Sequence, residues 1–123
     1  DDAADVINEV KMFCFDLSIL KASHNHKINF IFHDSRLFGD MDKRQRSTLF
    51  KIAYEEWITS GIQYIASINE ELFSEFSRWY TTEEYQKIIT DNIILELTDE
   101  SDKEKLLGVK VNMNYEEDGY YEE

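Results

Sequence analysis

Apolar residues recur at helical spacing near the start of the chain. Val6, Val10, Phe13, Leu17 and Leu20 share one face of a helix predicted over residues 4–23. Met12, Phe15 and Ile19 make a second stripe on another face. A helix apolar on two faces is buried on two sides, so in a chain this short the second stripe predicts a partner layer supplied from elsewhere. A polar turn, His24-Asn25-His26-Lys27, follows. Residues 28–32 then read as a short buried strand of aromatic and β-branched residues, ending at His33-Asp34-Ser35. A loop containing Gly39 leads to Asp42, a good N-cap, and to a helix over 43–60 with Leu49, Phe50, Ala53 and Trp57 inward. Gly61 stands at the natural stop. A strand over 62–68 ends before Asn69, followed by a helix over 70–80 and another over 83–90 capped by Thr81 or Thr82. Strands over 92–98 and 106–113, separated by an acidic turn, complete the pattern.

Strand-helix-strand alternation implies an α/β fold, a mainly parallel sheet with right-handed crossovers and flanking helices. Residues 1–115 read as one domain, and 116–123 as an acidic, tyrosine-rich, frayed tail. Functional groups in such sheets gather at the carboxyl ends of the strands. Asp34 and Asn69 both stand at such ends, one crossover apart, so neighbouring strands would turn their side chains into one crevice.

Composition narrows the possibilities. The 123 residues, 42% of them hydrophobic, fit one core. No apolar run is long enough to span a bilayer and no signal peptide is visible, so no membrane partner is expected. Asp1-Asp2 enters helical sequence without an initiator Met, and reads as part of a longer or processed chain. The single cysteine, Cys14, fits a reducing cytoplasm and excludes an internal disulfide. Between Phe13 and Phe15 it reads as a buried packing residue. The formal charge of -13 argues against a free-standing nucleic-acid binder. The acid concentrates after Glu96, whereas Arg36, Lys43, Arg44, Arg46 and Lys51 form a basic stretch. That stretch reads as a solvated helix face, or as a contact to phosphate or to an acidic partner.

The sharpest motif is Phe30-Ile31-Phe32-His33-Asp34-Ser35. An apolar strand ending in Asp is the Walker B pattern, whose carboxylate holds Mg²⁺, a hard cation that prefers oxygen ligands. Many buried strands also end in Asp to cap the next turn. Met41-Asp42 sits where ATPase heads of the ABC type carry a D-loop, an apolar residue plus Asp that opens the next helix. Asn69 ends the following strand, where a switch residue senses the γ-phosphate. His24, His26 and His33 are weighed as metal ligands, with a solvated turn the better reading of His-x-His. Asp40 and Asp42 read as a loop acid and an N-cap.

Five blocks together resemble the C-terminal domain of YydD-type proteins. They are Glu9 to Leu17, Phe32-His33-Asp34-Ser35-Arg36-Leu37-Phe38, Arg44-Gln45-Arg46, Gln63-Tyr64-Ile65-Ala66 and Lys105 to Val109. That family of unknown function lies at the end of SMC-like, coiled-coil ATPases of ABC-three-component systems. The resemblance implies the C-terminal lobe of an SMC/RecN-like, P-loop NTPase-like head. The site residues it implies are Asp34 as magnesium carboxylate, Ser35 and Asn69 as catalytic positions, and Asn8 and Asp42 as nucleotide contacts. Mg²⁺ and ATP would bind the complete head, and no cofactor is expected in this chain alone. The phosphate-binding loop would come from an N-terminal half of the same head, because no GxxxxGK(S/T) occurs here. Further implied partners are a second head and DNA, in a defence role against phage.

Ser35 stands where many such heads carry Glu, and a hydroxyl is a poor base near neutral pH. Either hydrolysis is slow, or Asp34 is the base and His33 takes the metal position. Asp34 is preferred for the metal because neutral imidazole is a poor magnesium ligand. Asn69 replaces the usual switch His and can still hydrogen-bond a phosphate. Two alternatives stand beside this reading. One is a receiver-like domain phosphorylated at Asp34, which lacks the required acidic pair and Lys. The other is a non-catalytic acidic interaction module, which suits the charge and the tail.

Overall fold

Helix α1 (Asp2–Ala22) follows from the first apolar stripe, and helical periodicity sorts its residues. Phe13 and Leu20 are buried, and Val10 and Leu17 pack against the core. The computed structural model describes residues 2–98 and 100–106. After α1 come β1 (Phe30–His33), a 3-10 turn (Ser35–Phe38), α2 (Lys43–Ser60), β2 (Gln63–Ala66), α3 (Glu70–Phe76) and α4 (Thr82–Ile88). Short 3-10 turns follow at Thr90–Asn92 and Asp102–Glu104.

The fold is mixed α/β around a two-stranded parallel sheet. Phe30 pairs with Gln63, Ile31 with Tyr64, Phe32 with Ile65 and His33 with Ala66. Helix α2 is the crossover, so the β1-α2-β2 unit matches the strand-helix-strand expectation. The broader, mainly parallel sheet does not form among the described residues. Residues 93–98 make no strand there. Ile94, 89% exposed, and Leu95 and Leu97 bury too little surface to hold a ladder. The strand expected at 106–113 and the tail at 116–123 lie outside the described residues, except Leu106, which sits in a turn. The chain divides into two compact units, Asp1–Asn92 and Ile93–Glu123. In the second, the Thr98 amide donates to the Glu104 carbonyl at 3.2 Å and closes the acidic turn.

Helix α2 begins and ends as its sequence dictates. Asp42 accepts a hydrogen bond from the Gln45 amide at 2.8 Å, and the Gln45 side chain accepts from the Asp42 amide at 3.1 Å. This reciprocal box satisfies two otherwise orphaned donors. Gly61 closes the helix at φ 72°, its amide donating to the Trp57 carbonyl at 2.9 Å. Thr81 and Glu84 form the same box at the start of α4. Helix α3 stops at Phe76, shorter than expected. The turn that follows brings Tyr80 into the core, where its hydroxyl donates to the Ser47 carbonyl.

The core of the first unit joins Phe13 of α1, Phe38 and Met41 of the β1-α2 loop, Leu49 and Phe50 of α2, and Phe76. Fully burying such side chains contributes about 1.5–3 kcal/mol each. Two expected core residues lie elsewhere. Trp57 is exposed, because it belongs to the last turn of α2, where it meets Tyr54 at a ring separation of 5.7 Å. Cys14 is exposed, because one residue of helix rotates it about 100° away from buried Phe13. The second stripe of α1 stays uncovered, with Met12, Phe15 and Ile19 exposed among the described residues. No described helix is long and apolar enough to cross a membrane.

Candidate functional site

The alternation of β1 decides which of its residues face the core. Ile31 and His33 are buried, whereas Phe30 and Phe32 are exposed. The chain leaves the strand at Asp34, with φ -76° and ψ 155°, and turns at once into the 3-10 segment. The Asp34 carboxylate accepts from the Ser35 hydroxyl at 2.9 Å and from the Arg36 amide at 3.3 Å. The Ser35 hydroxyl, followed by the Arg36 amide, holds the Asp34 carboxyl below its ordinary value. Asp34 therefore caps the turn, and its carboxylate is exposed at the strand tip.

The neighbouring tip comes from β2. The Ser67 amide donates to the His33 carbonyl at 3.1 Å, and the Ser35 amide donates to the Ser67 hydroxyl at 3.2 Å. Of the residues after β2, it is thus Ser67 that binds the Asp34-Ser35 turn. Asn69 lies two residues further on, exposed at the N-cap of α3 with no side-chain cap bond. Asp34, Ser35 and Asn69 all stand at the carboxyl end of the sheet, as the strand-end rule predicts. Asp42 is committed to capping α2, and Met41 beside it is buried at 1% exposure.

Beneath this surface lies a polar group that the sequence reading did not assemble. His33 Nε2 stands 3.1 Å from the Asp16 carboxylate of α1, and Nδ1 stands 3.1 Å from the Tyr64 hydroxyl of β2. The ring also packs against Phe13 and Tyr64. Burial pushes the Tyr64 hydroxyl pKa upward, so it remains protonated and able to donate. Both ring nitrogens of His33 are thus engaged, which removes it from the metal position considered for it. The signal was present: Asp16 sits on the rim of the apolar face carrying Phe13, Leu17 and Leu20, and a carboxylate there needs a partner. Because Asp16 meets His33 and Leu20 clusters with Ile31, α1 runs antiparallel to β1. Asn8 is exposed on α1, roughly 12 Å further along the axis on the strand-tip side.

Most of the basic stretch is spent within the fold. Lys43 and Arg46 pair with Glu75 at 2.6 and 3.4 Å, and Lys51 pairs with Glu84. Arg46 also donates to the Gly39 carbonyl at 3.3 Å, fixing the loop between β1 and α2. Arg36 and Arg44 are exposed. His26 is tied to the Ile19 carbonyl at 3.0 Å. Among the described residues, no group of three or more His, Cys, Asp or Glu side chains is arranged to hold a metal ion. A magnesium ion at Asp34 would therefore draw its other ligands from water, phosphate or another segment.

No curated protein and no solved structure matches the chain. A family model does match residues 1–111, and the chain belongs to that family, DUF2326, described as an uncharacterised protein conserved in bacteria.

Proposed function

We propose that this chain is the C-terminal lobe of an SMC/RecN-like ATPase head, supplying the magnesium carboxylate of a nucleotide site completed by another part of its parent protein. The observation that carries the reading is the parallel β1-α2-β2 unit with an exposed carboxylate, Asp34, at the tip of β1. An ionised, solvent-facing oxygen donor at that edge suits a hard divalent cation bridging to phosphate. Ser35 and Asn69 add neutral hydrogen-bonding groups at the same end of the sheet, with Asn8 and Asp42 as secondary contacts. The uncovered stripe of α1, Met12, Phe15 and Ile19, fits a lobe that packs against the phosphate-loop half of its own head. Head-head pairing, DNA contact and a defence role belong to the same proposal, in the cytoplasm.

Mg-ATP turnover by the full-length protein tests it. Asp34→Asn keeps the side-chain shape and an acceptor oxygen but removes the charge, and turnover falls about 100-fold. Unchanged turnover removes Asp34 from the mechanism. A non-catalytic acidic interaction module is the second reading, favoured by the charge of -13. It requires Asp34→Asn to leave partner binding intact and Mg-ATP without effect on the wild type.

A further inference from the structure

The edge of β1 away from β2, unpaired among the described residues, has the features of a symmetric pairing surface. In the parallel ladder, the carbonyls of Asn29 and His33 accept from the Gln63 and Ser67 amides at 2.8 and 3.1 Å. Backbone groups alternate in direction along a strand, so the N–H and C=O of Phe30 and Phe32 point to the other side. Among the described residues no third strand lies there. The edge is apolar, with Ile28, Phe30 and Phe32 at 57%, 50% and 58% exposure. On the opposite face of the strand, a groove of about 210 Å³ between α1 and β1 is lined by Asp16, Ile19, Leu20 and Ile31. Ile19 and, one heptad earlier, Met12 carry the apolar surface onto α1. An unprotected apolar edge strand is a template for another strand.

We propose that β1 pairs antiparallel with β1 of a second copy, across a two-fold axis through Ile31. This register sets Phe30 of each copy opposite Phe32 of the other and forms four backbone hydrogen bonds from groups that no bond among the described residues uses. The same register brings Lys27 of each copy beside the Asp34-Ser35 turn of the other. Two unlike-charge contacts therefore bracket the pairing, and Lys27 and Asp34 are both exposed. Ile28, Phe30 and Phe32 together expose roughly 300 Å² of apolar surface per copy. The pair buries at most about 600 Å² of this apolar surface before any polar rim is added, the size of a weak, transient contact. The pairing uses the edge of the sheet, and its backbone bonds involve none of the side chains of the proposed nucleotide site.

Sedimentation equilibrium of the 123-residue chain tests the pairing directly. The wild type forms dimers at tens of micromolar. Phe32→Pro removes an edge N–H that the β1-β2 ladder does not use, and a proline is tolerated at such a position. That variant is monomeric with an unchanged circular-dichroism spectrum. Lys27→Glu, which leaves every described backbone bond in place, weakens association about tenfold at low salt, and the loss shrinks as salt screens the contacts. A monomeric wild type overturns the proposal and assigns the edge to a different partner. A dimer that both variants leave intact overturns it as well. Neither result bears on Mg-ATP turnover, which tests the head-lobe reading separately.

Discussion

Asp16 of α1 and His33 of β1 meet at 3.1 Å, and the far nitrogen of the same ring stands 3.1 Å from the Tyr64 hydroxyl. One imidazole therefore ties α1 to both strands of the sheet. A neutral ring satisfies both contacts with Nε2 protonated, donating to Asp16 and accepting from Tyr64 at Nδ1. Asp16→Ala leaves the Nε2–H unpaired in the core and lowers stability by about 1–3 kcal/mol in urea denaturation. Tyr64→Phe costs about 1 kcal/mol by the same measurement. A wild-type midpoint in Asp16→Ala contradicts the contact.

The Asp34 carboxyl titrates below an ordinary aspartate, first because the Ser35 hydroxyl donates to it and next because the Arg36 amide does. Since the folded value lies below the unfolded one, its contribution to stability is present above the unfolded value. It is lost as pH falls through the lowered folded value. Carbon-detected NMR titration follows this group directly. Ser35→Ala moves the midpoint up towards the ordinary range, and no movement shows that the serine does not hold the carboxylate.

Both ends of α2 carry measurable contributions. Asp42→Ala removes the box with Gln45 and costs about 1 kcal/mol in thermal or urea denaturation. Gly61→Ala meets no neighbouring atom, so its cost of about 1 kcal/mol comes from the left-handed φ of 72° alone. Gly61→Asn costs less than Gly61→Ala, because Asn tolerates that backbone region.

The two faces of α1 separate in their sensitivity. Phe13, 1% exposed and packed against the core rings, costs about 3–5 kcal/mol when cut to Ala. Phe15, 64% exposed, changes stability by less than about 0.5 kcal/mol under the same substitution. A large loss at Phe15 in the chain alone shows that its stripe is covered within the molecule.

Much of the first unit could be read from the chain. The crossover helix with Asp42 and Gly61 at its ends, the two strands beside it and their parallel order all follow from local chemistry and period. The exposed strand-tip position of Asp34 follows as well. Other features depended on reach. Trp57 continues the inward pattern of Leu49, Phe50 and Ala53, yet lies in the last turn, beyond the core. Cys14 sits between two phenylalanines, but adjacent helical residues point in different directions. The run at 92–98 has the composition of a strand, and composition alone does not supply a neighbour to bond it. The Asp16-His33-Tyr64 group escaped because its members stand 17 and 31 residues apart.

The sequence by itself determined the local elements and their ends, because capping, left-handed glycine and apolar period act within a few residues of chain. Only the tertiary structure decided which apolar stripe of α1 is buried, that His33 is held between a helix and a strand, and that Ser67 joins the Asp34 turn. Those outcomes depend on which surfaces meet, and a buried polar atom must find its partner wherever the fold brings one within hydrogen-bonding distance.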